Sequence, residues 1–473
     1  MKQIDLMNIE IDKKLSGILP EEIARENCMI AFKEIHDKIY IAIDKPPNFY
    51  LREKLRFMLK KDTLFFQSGR KYILKSIDNL YFREKLDFTI NSIEINSTGI
   101  PEMGNSESTN SPVVKAANYI IQRAIDERAS DIHIEPFETY INVRFRIDGI
   151  IGRYVKIPRD IYNFICMRIK IMANLDIAEK RMPQDGKIIF SSGGKDYDIR
   201  VSTLPTIYGE KIVLRILYKD RDISSFESLG FLKADVERIK RMIEYANGLI
   251  LSVGPTGAGK STTVYSLVHN IDWEKKNIVS IEDPVEYAMD GVNQVNVNSK
   301  IGLDFASGLR SILRQDPDVI MIGEIRDEET AKIAVKASIT GHLVLSTLHT
   351  NSPQEAVLRL ENMGVPSYFI KDALIGVISQ RLVRKLCPYC RESYEMKSWD
   401  SINNFLNIDE SQILYRSKGC FKCNYTGYTG RTAVYEIKSM KDDSLNSKSI
   451  KDNSIDLIKD GVTTFDEIMK LGI

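Results

Sequence analysis

The chain has 473 residues, more than one ordinary core holds, and the usual domain size of about 150 residues divides it into roughly three. Its hydrophobic content of 43% is that of a globular protein, and 66 Lys+Arg against 65 Asp+Glu leave a net charge of +1, which excludes a global field drawing it to nucleic acid or an acidic membrane surface. No run approaches about 18 consecutive apolar residues, and Met1-Lys-Gln-Ile-Asp-Leu-Met7 carries an acid where a signal peptide needs an unbroken apolar stretch, so the chain is expected to stay in the cytoplasm.

Residues 1–91 mix short helical and strand patterns, such as Glu21–Glu26 followed by the alternating Lys38–Ile43, and suggest a small α/β or α+β module. Residues 92–112 are rich in Ser, Asn and Gly and read as a linker. A helical pattern over 113–129 then precedes period-2 strands at Asp131–Glu135, Ile141–Ile147, Asp196–Val201 and Lys211–Leu217, giving a mixed sheet domain over 113–222. Arg144 and Arg146 alternate on one strand and so share a face; surface ion pairs are one reading, and an arginine offered to a phosphoryl-transfer site across a subunit boundary is the other. Over 223–473, apolar strands at Leu249–Val253, Asn277–Ile281, Asp318–Ile322 and His342–Ser346 alternate with helical spacing. That pattern predicts an α/β domain with a mostly parallel sheet covered on both faces. Arg310 and Arg314, four apart, are expected on one helix face. The stretch 440–454 is polar and reads as mobile, before a short amphipathic ending from Ile455.

The most informative stretch is Gly254-Pro255-Thr256-Gly257-Ala258-Gly259-Lys260-Ser261-Thr262, which fits G-x-x-x-x-G-K-[ST] directly behind an apolar strand. In that setting backbone N–H groups wrap phosphate oxygens, Lys260 reaches the β/γ-phosphates and Ser261 ligates Mg²⁺. Two later strands end in acids that suit metal or water activation beside a nucleotide: Glu324 after Asp318–Gly323, and Glu282 in Glu282-Asp-Pro-Val-Glu286. Which of them activates water stays open. His342 and His349 flank another strand, where a histidine either senses the γ-phosphate or is satisfied in the core. Cys387, Cys390, Cys420 and Cys423 form two C-x-x-C units, suited to a closed tetrahedral Zn²⁺ site, with redox dithiols as the competing reading.

Several long motifs in order give a resemblance to the hexameric secretion ATPases of type IV pilus assembly and type II secretion. They include Ala129–Pro136, Arg144–Gly149, Met182–Gly186, the phosphate loop, Ile281–Glu286, Leu309–Asp318, Gly323–Asp327 and Gly341–Thr350, and they cover about residues 113 to 437. The resemblance implies a RecA-like ATPase domain at 223–473 with a zinc subdomain at 386–424, a PAS-like sheet domain at 113–222 and a general amino-terminal domain at 1–91. It implies ATP, Mg²⁺ and Zn²⁺ as cofactors, with Lys260 and Ser261 on phosphate and metal. Glu324 and Glu282 would share metal and water duties, and His342 and His349 would form a histidine box. Arg144, Arg146 and Arg200 would complete a neighbouring subunit's site. The implied partners are five further copies in a homohexamer and a membrane platform protein that recruits the ring to the inner face of the cytoplasmic membrane, with no nucleic acid. The four cysteines favour an assembly or export motor over a retraction motor. Relatives that bind cyclic di-GMP carry tandem Arg-Leu-Gly and Leu-Gly motifs at their amino terminus; residues 1–91 show neither, and that ligand is not expected. The rival readings are a secretion or competence motor, a nucleic-acid motor and a scaffold that binds ATP with little turnover.

Overall fold

The structure is a computed structural model that describes the chain apart from residues 5, 7, 8, 10, 12–14, 16, 17, 71, 75, 78, 79, 82–111, 219–224, 396–412 and 473. The linker expected at 92–112 thus lies outside the described residues, save Pro112, which opens a helix. Two compact units emerge: Met1–Tyr218 with Gly419–Tyr425, and Lys219–Lys418 with Thr426–Ile473.

The first unit holds two sheets. Strands β1 (Lys2–Gln3), β2 (Met29–Ile35), β3 (Lys38–Ile43) and β4 (Asp62–Gln67) make a sheet of order β1-β4-β3-β2, its core closed by helices α1 (Glu21–Glu26) and α2 (Phe49–Leu59). Leu51, Leu55 and Leu59, four apart on α2, face inward. The second sheet is antiparallel throughout, with order β7-β6-β5-β10-β9-β8. Its strands are β5 (Asp131–Pro136), β6 (Tyr140–Ile147), β7 (Ile150–Pro158), β8 (Gln184–Ser192), β9 (Lys195–Thr206) and β10 (Gly209–Leu217). Alternation sends Ile132, Ile134, Val143, Phe145, Val201 and Leu214 into a core shared with α3 (Pro112–Asp126) and α4 (Tyr162–Met172). The helix expected to reach Ala129 ends at Asp126, because Arg128 takes a left-handed conformation at φ 54° and the Ala129 N–H turns back to the Ala124 carbonyl at 2.8 Å.

The second unit is built on seven strands: β11 (Gly248–Val253), β12 (Ile278–Glu282), β13 (Val292–Asn296), β14 (Val319–Ile322), β15 (Leu343–Leu348), β16 (Leu374–Leu386) and, after the small hairpin β17 (Glu392–Glu395)–β18 (Ile413–Arg416), β19 (Tyr428–Ser439). Their order is β13-β12-β14-β15-β11-β16-β19, parallel except for β19. All residues of β11, β12, β14 and β15 are buried, as strands covered on both faces require. One face packs α5 (Lys233–Ile243) and α6 (Lys260–His269); the other packs α7 (Phe305–Ile312), α8 (Glu328–Ile339), α9 (Pro353–Asn362) and α10 (Ser367–Ala373). Among the described residues, no helix is long and apolar enough to cross a membrane.

Two expectations need correction. Arg314 is not on a helix face with Arg310: α7 stops at Ile312, and the Arg314 guanidinium folds back onto the Arg310 carbonyl at 2.9 Å while Arg310 pairs with Glu329. The polar stretch 440–454 is ordered. It forms a turn at Asp443–Leu445 and the first half of helix α11 (Ile450–Lys459), capped by Ser449, ahead of α12 (Phe465–Met469). Its polar side chains close the free edge of β19: Tyr435, Ile437 and Ser439 donate their N–H groups to Asn453 Oδ1, Ser447 Oγ and Asn446 Oδ1 at 3.3, 2.7 and 2.8 Å. A sheet edge needs such partners, so low hydrophobicity here marks an edge cover rather than a loose tail.

Candidate active site

The phosphate loop leaves the carboxyl end of β11, a parallel strand flanked by β15 and β16, and feeds α6 at Lys260. Gly254 is required by close approach: a β-carbon there would stand 2.4 Å from the Gln380 carbonyl oxygen of β16. Gly257 and Gly259 take φ of 80° and 89°, which aim the following N–H groups into the loop. Lys260 is buried and donates to the Gly254 and Pro255 carbonyls at 2.9 and 3.1 Å; Ser261 is exposed at the mouth. Burial lowers the pKa of the Lys260 ammonium, Glu324 opposes that shift, and Arg381 adds to it by like-charge repulsion.

Side chains from the neighbouring parallel strands converge on this lysine. His349, just past β15, sets Nδ1 3.5 Å from Lys260 Nζ and Nε2 3.4 Å from Glu324 Oε2. Glu324, two residues past β14, also pairs with Arg326 at 2.6 Å. Glu282 behaves differently. It is buried at the end of β12, where its carboxylate accepts from the Tyr265 hydroxyl, Ser280 Oγ at 2.6 Å and Gln294 Nε2 at 3.1 Å. Tyr265 in turn accepts the Glu286 N–H at 3.1 Å, tying α6 to the acidic segment.

His342 is not brought to the loop. It precedes the opposite end of β15, its carbonyl accepts from the Gly248 N–H at the start of β11, and its ring Nδ1 lies 2.9 Å from the Ala337 carbonyl in the last turn of α8. Strand polarity explains the split: six residues of β15 stand between the two histidines, about 20 Å of extended chain.

In the first unit, the six-stranded sheet turns a charged face away from its core. Asp131, His133 and Glu135 alternate on β5 under Arg144 and Arg146 of β6 and Lys211 and Arg215 of β10. Arg144 grips Glu135 with two bonds of 2.8 and 2.7 Å, and Lys211 joins at 3.0 Å. Burial raises the Glu135 pKa, but these hydrogen bonds outweigh it and the net shift is downward. Arg146 lies 3.6 Å and Arg215 2.9 Å from Asp131. Arg200 faces Arg215 on one side and Lys187 on the other in the strand register.

The sulfurs of Cys387, Cys390, Cys420 and Cys423 all lie within 4.8 Å of one another, buried and unoxidised, with the Cys420 and Cys423 sulfurs 3.8 Å apart. Tetrahedral zinc with Zn–S bonds of about 2.3 Å separates sulfurs by about 3.8 Å, so the donor set fits that ion.

The sequence signature of the type II/IV secretion system protein family matches residues 106–470. The chain belongs to this family. Among relatives of this secretion ATPase, the type II secretion system ATPase E of Vibrio cholerae is 44% identical across 76% of this chain and 75% of its own length. The type IV pilus assembly ATPase PilB of Myxococcus xanthus is 37% identical across 98% of this chain and 88% of its own. The ATPase DotB of Legionella pneumophila shares the fold, with a TM-score of 0.54 at 19% identity over 75% of this chain and 95% of that one. Residues 1–85 match the MshEN domain, a type related to cyclic di-GMP binding, so the expectation against that ligand rests on the missing motifs alone. The secretion ATPase hydrolyses ATP, and the reading as a scaffold with little turnover falls away.

Four residues of its site carry no signal that motif reading could find. Gln380, buried in β16, donates Nε2 to the Ala258 carbonyl at 2.8 Å and accepts from Thr263 Oγ1 at 2.8 Å and Ser252 Oγ at 3.4 Å, clamping strand, loop and helix together. Arg381 beside it, and the Tyr265 and Gln294 that hold Glu282, lie in stretches whose hydropathy pattern marks only strand or helix. The polar trio Ser379-Gln380-Arg381, which interrupts the apolar residues between Leu374 and Leu382, is the faint trace available.

Proposed function

We propose that this ATPase is the motor of pilin polymerisation in a type IV pilus, acting as a homohexamer that a membrane platform protein recruits to the inner face of the cytoplasmic membrane. Coverage carries this reading: similarity to the Myxococcus pilus assembly ATPase runs through 98% of the chain, whereas the type II secretion relative matches 76% of it. A second reading, as motor of a type II secretion or competence pseudopilus, draws on the higher identity of that relative, 44% against 37%. Deletion of the gene in its own cell separates them. Loss of surface pili with protein secretion intact is the expected outcome; intact pili with failed secretion would overturn it.

In the proposed site Lys260 would hold the β/γ-phosphates, and Ser261 would hold Mg²⁺ on the side where Glu324 stands, an ion that would neutralise charge developing on the transferred phosphoryl group. Glu324 activates the attacking water. Its support is position: it reaches Lys260 through His349, while the Glu282 carboxylate is taken up by three side-chain donors. Glu282 then acts as the post that fixes α6 relative to the acidic segment. Arg146 and Arg200 complete the site of a neighbouring subunit, as the family's arginines of this domain do, and the strand register supports this by setting Arg200 between Arg215 and Lys187 on one sheet face. Arg144, committed to Glu135, positions that face. Zinc on the four cysteines closes the small subdomain and takes no part in hydrolysis.

A further inference from the structure

Two consecutive residues of β16 pass beside the phosphate loop, and alternation gives them different partners. Gln380 points into the sheet and clamps the loop from behind. Arg381 points the other way, over the loop: a β-carbon on Gly254 would lie 3.5 Å from its NH1. Its guanidinium is held there by neutral oxygens, the Gln380 carbonyl at 3.0 Å from NH1 and, from NH2, the Asn351 carbonyl at 3.2 Å and side-chain oxygen at 3.1 Å. Asn351 follows His349 by two residues, so this anchor stands on the side of the loop where Lys260, His349 and Glu324 gather.

Among the described residues, no carboxylate forms an ion pair with Arg381. Proteins usually match a half-buried cation with a nearby acid. Here burial disfavours the charge, Glu355 offsets it only at longer range, and the arginine further disfavours the charge on Lys260. Two desolvated cations are thus set against one glycine-rich loop, and an anionic acceptor between them relieves both. The guanidinium has five N–H donors in a planar fork suited to phosphate oxygens, so the three contacts to neutral oxygens leave donors for it.

We propose that Arg381 is a phosphate-contacting residue of this ATPase that bonds the terminal phosphate of the nucleotide held by its own chain's loop. The proposal rests on reading residues 254–261 as the ATP site. It differs in kind from the arginines of the sheet domain, which would act on a neighbour, and from Gln380, which acts through the loop and so serves ATP and ADP alike.

The test uses full-length protein and compares the wild type with Arg381→Ala, Arg381→Lys and Lys260→Ala, reading affinities for ADP and a non-hydrolysable ATP analogue by competition. Arg381→Ala is expected to weaken the ATP analogue about 10-fold or more while ADP changes by less than about 2-fold, since only the former carries the contacted group. Arg381→Lys should recover part of the loss by keeping the charge without the fork. Unaltered ATP affinity in Arg381→Ala overturns the proposal; an equal loss for both nucleotides also overturns it, because that marks a distorted loop. Lys260→Ala is the control on the underlying reading: if it binds ATP as the wild type does, the loop assignment itself fails, whatever Arg381 does. Same-chain action has its own readout. Mixing Lys260→Ala with Arg381→Ala chains should restore no activity, because every site then lacks one of the two cations, and recovery would overturn the assignment to the same chain.

Discussion

Glu282 and Glu324 end neighbouring parallel strands, yet their surroundings give them different work. Three side-chain donors converge on the buried Glu282, and an amide in its place would turn two acceptor sites into an NH₂ facing the Gln294 amide. Glu282→Gln should therefore lose about 1–3 kcal/mol of stability along with activity, seen as a lower urea midpoint. Glu324, at the mouth beside His349 and Arg326, should behave otherwise. Glu324→Gln is expected to bind ATP, keep the wild-type urea midpoint and lose on the order of 10²-fold in kcat. Equal stability of the two variants would show that the Glu282 network is no structural post, and normal turnover in Glu324→Gln would remove it from the chemistry. Both acids were legible in the sequence as strand-ending carboxylates near a phosphate loop. Their division of labour was not, because two of the three donors around Glu282, Tyr265 and Gln294, come from α6 and β13 and meet β12 only through packing.

At the scale of elements, β16 is the organising strand of the second unit. It begins beside β11, passes the loop at Gln380 and Arg381, and ends at Leu386, one residue before the first zinc-type cysteine. Beyond the loop its Arg384 forms a bidentate pair with Glu467 of α12 at 2.8 and 2.7 Å and lies over the Tyr428 ring at 3.9 Å. Burial pushes the Glu467 carboxyl up, but the hydrogen bonds from Arg384 and Lys470 prevail and hold it at about 2. An unfolded glutamate titrates at about 4.3. The folded group is the stronger acid, so the pair stabilises fully above about pH 5 and its contribution fades as pH falls toward 2. Glu467→Gln should cost about 3 kcal/mol at pH 7, as removal of one partner of a buried pair does. The gap from wild type should narrow between pH 5 and pH 3 in urea titrations; a gap independent of pH would deny the pair that role. The tail leading to this helix illustrates a limit of composition. Asn446, Ser447 and Asn453 look like solvent-loving residues, and they are polar because β19 is an edge with N–H groups to satisfy.

At the scale of the molecule, shared sites between subunits make a clear demand on mixtures. Lys260→Ala chains combined with Arg146→Ala/Arg200→Ala chains should recover activity that neither has alone, since about a quarter of interfaces in an evenly mixed ring join an intact loop to intact arginines. Arg144→Ala is a poorer choice, because Arg144 holds the buried Glu135 and its loss weakens the sheet domain as well. No recovery would leave a phosphate-loop ATPase whose sites are complete within one chain.

The loop, the acidic strand ends, the paired cysteines and the parallel sheet could be read from the chain itself, because each is a local pattern: a fixed spacing of glycine, lysine and hydroxyl, a sulfur pair two residues apart, or an apolar run between helices. Strand order is not local. That β16 lies beside β11 and β19 beside β16, with β15 on the other flank of β11, is settled by how seven strands share two covering layers. Only that arrangement brings Gln380 behind the loop and Arg381 over it, puts His349 at the lysine while His342 stays at the far end of the same strand, and turns a polar tail into the cover of an edge. The bonds of Gln380 to the loop and of His349 to the lysine join residues 122 and 89 positions apart, and no periodicity along the chain encodes which strands become neighbours.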